Sequence, residues 1–433
     1  MDVTALRAEG VFKVFGRRPN EAVRRLREGA TREDVRPFGT AAVIDADLRV
    51  ESGETFVVMG LSGSGKSTLI RMLNGLWRPT AGSVVIGDDD LATVDDKRLR
   101  ELRRRRVSMV FQHFALLPHR TVLDNAAYPL EIQGVDRTER RRRAGEALEL
   151  VGLSGWGDSL PSQLSGGMRQ RVGLARALAA DTDVLLMDEA FSALDPLIRR
   201  EMQDQLLDLQ QNLGKTIVFI THDLNEAMYL GDRIAVMRDG RIVQTGTAEQ
   251  ILSDPANDYV AQFVADVDRT RVLTASSVMV APRAVVPHAG GPRQASRTMR
   301  EAQVSAAYVV DRQRRLTGIV RDDEVVAAVR EGRETMDGLV HEGVAPVSPD
   351  TALADVFAPA AESALPVPVT DEAGRLVGVV PRVTLLEAMV PPETSGTTDD
   401  GTAQDAIAST DAVPADEVHD AVDAHATTAG GAR

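Results

Sequence analysis

One stretch decides the fold of this chain: Gly60-Leu61-Ser62-Gly63-Ser64-Gly65-Lys66-Ser67-Thr68. It fits the pattern G-x-x-x-x-G-K-[ST], a glycine-rich loop that follows a strand and opens a helix. An apolar run ending at Met59 precedes it, and a helical run from Leu69 to Leu73 follows it. The glycines let the backbone curl around phosphates and present N–H donors to them, and the helix start favours an anion. The stretch predicts a nucleotide site, with Lys66 on the β- and γ-phosphates and Ser67 on Mg²⁺.

The composition sets limits on what the chain can be. Its 433 residues exceed one ordinary core, so two or more domains are expected. A formal net charge of -14 argues against nucleic acid as a partner, because neutralising phosphates requires a basic surface. The chain has no Cys, which excludes disulfides and thiolate metal sites. It has no signal-peptide pattern and no apolar run near the ~18 residues of a membrane span, so we expect any membrane role to come through a partner.

Residues 1 to about 266 alternate strand and helix patterns, which predicts an α/β domain. Its candidate strands are short and apolar on both faces, as in a largely parallel buried sheet. A polar insertion rich in Arg and Glu, from Pro19 to Thr40, is interpreted as a helix and loop on the solvated surface. The candidate strands are Val57–Met59, Val107–Phe111, Val184–Met187 and Ile217–Ile220.

A strand–turn–strand pattern occurs twice after residue 270, at 308–320 and at 366–380. Each copy is followed by a helical run, and Gly318 and Gly378 lie 378 − 318 = 60 residues apart. An internal duplication is the simplest interpretation. It predicts a second, α+β domain over 270–392, with repeats at about 270–331 and 335–392. Residues 393–433 are rich in Ala, Thr, Asp and Gly, which predicts a disordered acidic tail.

Two carboxylates follow the strand pattern Val184–Met187. An apolar strand that ends in a carboxylate can hold Mg²⁺, which predicts Asp188 as a metal ligand together with Ser67. The next carboxylate, Glu189, is placed to polarise the attacking water as a general base. Taken alone, the pair could also be two solvated acids at the end of a strand.

At this point the chain resembles the ATPase subunit of ATP-binding-cassette (ABC) transporters, a P-loop NTPase fold. The segment Leu164–Gln170 resembles the signature loop of that family and opens a helical run at Arg171. Because the chain has one phosphate loop and one signature loop, the resemblance implies a homodimer that completes two ATP sites head to tail. The residues contributed in trans would be Ser165, Gly166, Gly167 and Gln170, with Ser165 and the glycine backbone at the γ-phosphate.

The same resemblance assigns roles to other positions. Gln112 matches the glutamine that joins Mg²⁺ and water to the membrane partner, and His222 matches the histidine that contacts the γ-phosphate. Phe15 resembles the aromatic that stacks on adenine, with Phe12 as a competitor. Ser192, Ala193, Leu194 and Asp195 match the dimer-contact loop. The resemblance implies a catalytic set of Glu189, His222, Gln112 and Lys66, a metal set of Ser67, Gln112 and Asp188, and nucleotide contacts from Phe15, Gly60, Ser62, Gly63, Ser64, Gly65, Lys66, Ser67 and Thr68.

A narrower resemblance is to the ATPase of glycine betaine/proline importers, carried by the stretch Met109–Leu123 and by the insertion after residue 16. The duplicated region resembles a tandem pair of cystathionine β-synthase (CBS) domains, which fits the same importers. The resemblance implies an osmotically regulated ATP hydrolase, peripheral on the cytoplasmic face of the inner or plasma membrane. Its partners would be transmembrane permease subunits and a substrate-binding protein. Phe114, Leu116 and Leu117 could form an apolar dock for the permease or belong to the core.

The signal that the CBS pair senses is left open. Its charged turns could contact anionic lipid and respond to ionic strength, or could be solvated hairpins. Four residues depart from the adenosine-binding form of this domain and argue against AMP or ATP there, so a cyclic dinucleotide is an alternative. The turn charges are Asp311, Arg312, Arg314, Arg315, Asp371, Glu372 and Arg375, and the departures are Arg321, Glu324, Pro381 and Thr384.

Two other functions are kept as alternatives. One is import of another small molecule, such as choline, carnitine or methionine. The other is a non-transport ABC ATPase that acts on ribosomes or DNA, a class that usually carries two cassettes or a long coiled-coil insertion. Arg169 stands where the betaine importers usually have Gln, which argues against too narrow an assignment.

Overall fold

The computed structural model describes residues 4–112, 115–192, 194–343, 345–363 and 365–390. The predicted tail 393–433, together with Phe114 and Ala193, lies outside these ranges. The strands are β1 Thr4–Phe15, β2 Thr40–Glu51, β3 Thr55–Met59, β4 Ala81–Ile86, β5 Asp89–Asp90, β6 Val107–Val110, β7 Val184–Asp188, β8 Thr216–Thr221, β9 Arg233–Arg238, β10 Arg241–Gly246, β11 Val285–Pro287, β12 Ala306–Val310, β13 Leu316–Arg321, β14 Val367–Thr370 and β15 Leu376–Val380. The helices are α1 Pro19–Arg27, α2 Lys66–Leu73, α3 Asp96–Arg105, α4 Val122–Gln133, α5 Arg137–Leu150, α6 Gly166–Ala179, α7 Pro196–Leu213, α8 Leu224–Leu230, α9 Ala248–Ser253, α10 Asp258–Phe263, α11 Arg269–Val272, α12 Ala275–Val278, α13 Gly291–Ala302, α14 Asp322–Arg330, α15 Leu353–Glu362 and α16 Arg382–Met389.

The central sheet has the strand order β10-β9-β3-β8-β7-β6 within the described chain. All neighbours in it are parallel except the edge pair β9 and β10. The four predicted strands are β3, β6, β7 and β8, and the predicted parallel sheet is confirmed. Because parallel strands end at the same edge, the loops after β3, β6, β7 and β8 all open at one side of the sheet.

The central sheet is buried on both faces because alternate side chains enter different cores. Val57 and Met59 pack with the helices α4 to α7 on one side. Phe56 and Val58 pack on the other side with α2 and with strands of an antiparallel sheet of order β2-β1-β4-β5. This two-sided burial explains why the strand sequences are continuous apolar runs rather than alternating ones.

The insertion after β1 forms the predicted helix and loop and is mostly exposed, but it also has a buried apolar side. It forms α1 and a loop, and its apolar side chains are buried: Ala22, Val23, Leu26 and Val35 pack against Phe12, Val14 and Ile44. The prediction missed this buried side because the Arg- and Glu-rich composition concealed an apolar stripe on α1. Polar residues form the outer face of this helix, including Arg24 and Arg25, which both pair with Glu21.

The duplication predicted after residue 270 is visible in matching hydrogen bonds. In β12–β13 Val309 faces Gly318, and in β14–β15 Val369 faces Gly378. Each connecting turn is closed by an aspartate: Asp311 Oδ1 accepts from Arg315 N at 2.8 Å, and Asp371 Oδ1 accepts from Arg375 N at 2.9 Å. The two turns also pair with each other, since Leu316 N donates to Gly374 O and Leu376 N donates to Arg314 O.

A short linker connects the two predicted domains at α11. The guanidinium of Arg269 donates to Leu252 O at the end of α9 and to Ala388 O in α16, each at 3.0 Å. Burial lowers the pKa of this guanidinium. Arg269 therefore bonds both a helix of the ATPase region and the last helix of the second repeat. Over the described ranges, none of the helices combines the length and apolarity required to cross a bilayer.

Candidate functional site

The phosphate loop lies between β3 and α2, as predicted. Two of its glycines have positive φ and no room for a side chain. A Cβ on Gly60 would lie 2.2 Å from Met237 O, and a Cβ on Gly65 would lie 2.2 Å from Ala42 O. The loop is thus pressed against the neighbouring backbone, which only glycine permits.

Lys66 is buried at the start of α2, with 4% of its surface exposed. Its Nζ donates to two carbonyls of the same loop, Gly60 O at 2.7 Å and Leu61 O at 3.0 Å. Burial lowers the pKa of this ammonium, while the carboxylates of Glu189 and Asp188 act in the opposite direction. The ammonium group of Lys66 therefore lies inside the phosphate loop, beside the backbone N–H groups of that loop.

A carboxylate and a hydroxyl meet where β7 ends and α2 begins. Ser67 Oγ donates to Asp188 Oδ1 at 3.1 Å. Asp188 is 3% exposed, and its burial raises the pKa of the carboxyl. A buried carboxylate with one hydroxyl donor is suited to accept a cation, because charge pairing offsets its desolvation.

Glu189, which follows β7, contacts residues that follow β6 and β8. Gln112, which follows β6, donates through Nε2 to Glu189 Oε2 at 3.2 Å. His222, which follows β8, has its Nδ1 3.2 Å from the same oxygen. Glu189 itself has a φ of 46°, a left-handed conformation that is uncommon for a residue with a side chain. The predicted catalytic residues Gln112, Glu189 and His222 are therefore brought together by one oxygen atom.

The signature segment starts α6, five residues earlier than the predicted helical run. Ser165 caps the helix by accepting from Met168 N at 3.3 Å, and is exposed. Gly167 lies against α7, since a Cβ there would be 3.0 Å from Ile198 Cγ2. Gln170 is buried, and its Oε1 has no hydrogen-bond partner in the described part of the chain. Ser165 is exposed to a second chain and Gly166 and Gly167 are half-buried, whereas Gln170 is buried in its own chain.

The dimer-contact loop precedes α7 and joins the same cluster. Ser192 Oγ donates to Glu189 O at 2.9 Å, and Asp195 caps α7 by accepting from Ile198 N at 3.1 Å. Leu194 is buried, and Ala193 is among the residues that are not described. The loop is therefore hydrogen-bonded to the backbone of Glu189.

The two aromatic candidates for adenine stacking differ in exposure. Phe12 is 1% exposed, whereas Phe15 is 39% exposed and packs edge-on against Trp77 at 5.1 Å between ring centroids. Only Phe15 has a ring surface that a base could reach, so the competitor Phe12 is a core residue.

Truncating these two rings should therefore have different effects. Phe15→Ala should weaken ATP binding by roughly 5-fold to 160-fold, because stacking a base on an aromatic ring is worth about 1–3 kcal/mol. Phe12→Ala should lower the free energy of unfolding by about 3–5 kcal/mol, because it opens a cavity in a packed core. Titration calorimetry with ATP and denaturant unfolding of both variants measure these effects. Unchanged ATP affinity in Phe15→Ala would remove Phe15 from the site.

The chemistry of these groups fits a nucleotide with its metal ion. Ser64 Oγ is buried in the phosphate loop without a hydrogen-bond partner among the described residues, so it has a free donor for a phosphate oxygen. Ser67, Asp188 and Gln112 could hold Mg²⁺, since hydroxyl, carboxylate and amide oxygens are the ligands it prefers.

The structure also reveals residues that the motifs did not indicate. Arg199, in α7, donates to the dimer-contact loop and to Asp223 beside His222. Glu226 is buried behind His222 and bonds Thr221 and Gln203. No local pattern marks Arg199 or Glu226, because each also bonds a partner more than 20 residues away, Asp223 and Gln203 respectively.

Comparison with known proteins agrees with this geometry. The ABC transporter family model matches residues 43–192, and the CBS domain model matches residues 275–331 and 338–391. The chain is 49% identical over 389 residues to the glycine betaine/carnitine transport ATP-binding protein of Listeria monocytogenes, covering 89% of this chain and 98% of the relative. It is 49% identical over 386 residues to the glycine betaine transport ATP-binding protein of Bacillus subtilis, covering 89% and 92%.

A third relative is the glycine betaine/proline betaine transport system ATP-binding protein of Escherichia coli. It is 44% identical over 389 residues, which cover 89% of this chain and 97% of the relative. The likeness thus extends through the cassette and the CBS repeats. The chain belongs to the ATP-hydrolysing, ATP-binding subunits of ABC transporters, in the group that includes these glycine betaine transport proteins and carries a tandem pair of CBS domains.

Proposed function

We propose that this chain hydrolyses ATP to energise uptake of glycine betaine or a related quaternary amine through a separate permease. The proposal rests on one observation: Gln112 and His222 both contact the same carboxylate oxygen of Glu189. This contact lies beside the phosphate loop that carries Lys66 and Ser67. Each of the three relatives described above matches along both regions and is a glycine betaine transport protein by name.

The site residues divide the work of hydrolysis. Lys66 and the loop N–H groups bind the β- and γ-phosphates, and Phe15 stacks on the adenine. Glu189 takes the proton of the attacking water, and Gln112 and His222 keep its carboxylate aimed at that water. Ser67, Asp188 and Gln112 would hold Mg²⁺, which would supply positive charge at the phosphate oxygens.

Two copies of the chain form the working unit in this proposal. The exposed Ser165 at the start of α6 would reach the γ-phosphate that the partner's phosphate loop holds, because a helix N-terminus favours an anion. The exposed Asp195 lies in the loop that meets the partner. One phosphate loop and one signature loop per chain make a head-to-tail pair the simplest way to complete two sites.

The permease is proposed to dock beside the end of β6. A groove of about 570 Å³ opens there between α3, α4 and α6. Its lining combines apolar side chains with Arg100, Arg103 and Arg104 of α3. Leu116 and Leu117, from the predicted apolar dock, are half-buried, and Leu116 also packs on the core. Docking at this place would couple a conformational change of the permease to Gln112. It would also keep the chain peripheral on the cytoplasmic face of the membrane.

The CBS pair is proposed to regulate transport, with domain boundaries at 1–266 and 270–392. A cleft of about 550 Å³ between the repeats is lined by Asp323, Glu342 and Glu362, with Arg321 as the one basic group among the described lining residues. Such a lining disfavours the phosphate of AMP or ATP, because like charges repel. The proposed signal is ionic strength at an anionic lipid surface. The alternative is a cyclic dinucleotide, which would bind at the interface between two copies of the chain, because this cleft would also repel its phosphates.

Labelled glycine betaine uptake into proteoliposomes tests the proposal. The vesicles hold this chain, its permease and its binding protein, with Mg-ATP inside and internal salt varied. We expect uptake that requires ATP, rises with internal salt and stops when Glu189→Gln replaces the chain. ATP hydrolysis without glycine betaine uptake would contradict the substrate, and labelled carnitine, choline and methionine would then be compared in the same vesicles.

A further inference from the structure

Helix α7 connects the dimer-contact loop to the loop that carries His222. It begins directly after Asp195, and its first turns pack against the start of α8, which follows His222 by one residue. Within the described chain, two side chains of α7 connect to the residues on either side of His222, one to Asp223 directly and the other to Thr221 through Glu226. These two side chains of α7 are Arg199 and Gln203.

Arg199 binds both loops with one guanidinium group. Its Nη2 donates to Leu194 O of the dimer-contact loop at 3.1 Å, and its Nη1 donates to Asp223 Oδ2 at 3.2 Å. Asp223 is the residue after His222 and caps α8 by accepting from Glu226 N at 3.2 Å. The Arg199 side chain is 28% exposed, so these contacts are partly shielded from water.

Gln203, one turn further along α7, secures the residue before His222. Its Nε2 donates to Glu226 Oε1 at 3.1 Å, and the other oxygen of Glu226 accepts from Thr221 Oγ1. Thr221 Oγ1 in turn accepts from Asp223 N at 2.9 Å. Glu226 is 4% exposed, and burial raises the pKa of its carboxyl. The backbone on both sides of His222 is therefore tied to α7.

We infer that Arg199 is a positioning residue for hydrolysis. Because Arg199 bonds both loops, the position of the dimer-contact loop determines the position of His222. His222 in turn positions the carboxylate of Glu189. The inference rests on the proposed function, because it assumes that Glu189 and His222 act on ATP. A planar guanidinium suits the task, since it can donate to a carbonyl and a carboxylate in fixed directions at once.

The steady-state kinetics of Arg199→Ala test the inference in the full chain with its permease and binding protein. We expect kcat for ATP to fall at least about tenfold, because small misplacements of catalytic groups have large effects on rate. KM for ATP should change less than about twofold, because Arg199 touches no predicted nucleotide ligand. Arg199→Lys should keep one of the two contacts and give an intermediate kcat. It also provides a second variant if Arg199→Ala fails to fold.

Arg200→Ala is the matched control. Arg200 is the next residue of α7, stacks on the Tyr229 ring of α8 at 3.7 Å and pairs with Asp204 at 3.4 Å, but has no contact with either loop among the described residues. It should leave kcat within about twofold if only the loop contacts matter. A similar loss in both variants would mean that general loosening between α7 and α8 is the cause, and would overturn the inference.

Mixed dimers separate positioning from folding. In a dimer of Ser165→Arg and Lys66→Ala chains, the Ser165→Arg chain supplies the intact phosphate loop and its His222, while the other chain supplies the signature loop. Arg199→Ala should lower activity much more on the Ser165→Arg chain than on the Lys66→Ala chain. Equal losses in the two placements would overturn the inference. Failure of Glu189→Gln to stop hydrolysis would overturn the proposed function instead, so the two failures are distinguishable.

Asp223→Asn completes a double-mutant cycle with Arg199→Ala. The asparagine can still accept from Glu226 N and cap α8, so it removes the charge without removing the cap. If Arg199 acts through Asp223, the double variant should be no slower than Arg199→Ala alone. Rate losses that multiply would show that the two residues act independently, and would contradict the route to His222.

Discussion

Glu189→Gln should lower the rate of ATP hydrolysis by about 10²- to 10⁴-fold, the range that general-base catalysis supplies. Glutamine has the same length and can keep the contacts with Gln112 and His222, but it cannot take a proton from water. ATP binding should be preserved, because the phosphate ligands of the loop after β3 are unchanged. Phosphate release gives the rate, and equilibrium binding of ATP gives the affinity in the same preparation.

Glu146→Gln is the control for this substitution. Glu146 lies on the exposed face of α5, where it pairs with Arg142 at 2.5 Å. Its loss should leave the rate within about twofold, since exposed ion pairs contribute little. If Glu189→Gln kept more than a tenth of the wild-type rate, Glu189 would not be the base, and His222 would become the next candidate to test.

Lys66→Ala should weaken ATP binding by roughly 30-fold or more, because truncating one member of a buried charge pair costs about 2–5 kcal/mol. The buried Nζ is positioned by Gly60 O and Leu61 O and can turn to phosphate oxygens without leaving the loop. Titration calorimetry with Mg-ATP measures the loss. Lys97→Ala, an exposed lysine of α3, should bind ATP like the wild type.

Mixing two inactive chains tests whether the ATP site is shared. Lys66→Ala and Ser165→Arg chains should each be inactive alone, yet a mixed dimer has one intact site. Random pairing makes half of the dimers mixed, so up to about a quarter of the wild-type activity should return. No recovery in mixtures that form dimers, shown by a tag on one chain, would contradict the head-to-tail arrangement.

Much of the cassette could be predicted from local sequence. The apolar runs identified β3, β6, β7 and β8, because a strand buried on both faces requires apolar side chains throughout. The phosphate loop and the carboxylates after β7 follow such strands directly, so their place at the carboxyl edge followed from the parallel order. The 60-residue repeat was also recognisable, because each turn uses an aspartate to bind its own backbone.

Boundaries and surface assignments were less predictable. Helix α6 begins at Gly166 because Ser165 caps it, whereas the residue pattern indicated a start at Arg171. The insertion was assigned to solvent on composition, yet its few apolar residues build a small core with Phe12 and Ile44. Composition averages over both faces of a short helix, so a narrow apolar stripe was hidden.

The sequence by itself determined the cassette, the nucleotide site and the duplicated CBS region, because each rests on residues that act on their immediate neighbours in the chain. Only the tertiary structure decided that Gln112 and His222 share one oxygen of Glu189, that Phe15 rather than Phe12 offers a ring to solvent, and that Arg199 joins the dimer-contact loop to Asp223. The physical reason is that hydrogen-bond partners and burial depend on which strands and helices pack together. A local sequence pattern does not specify that packing.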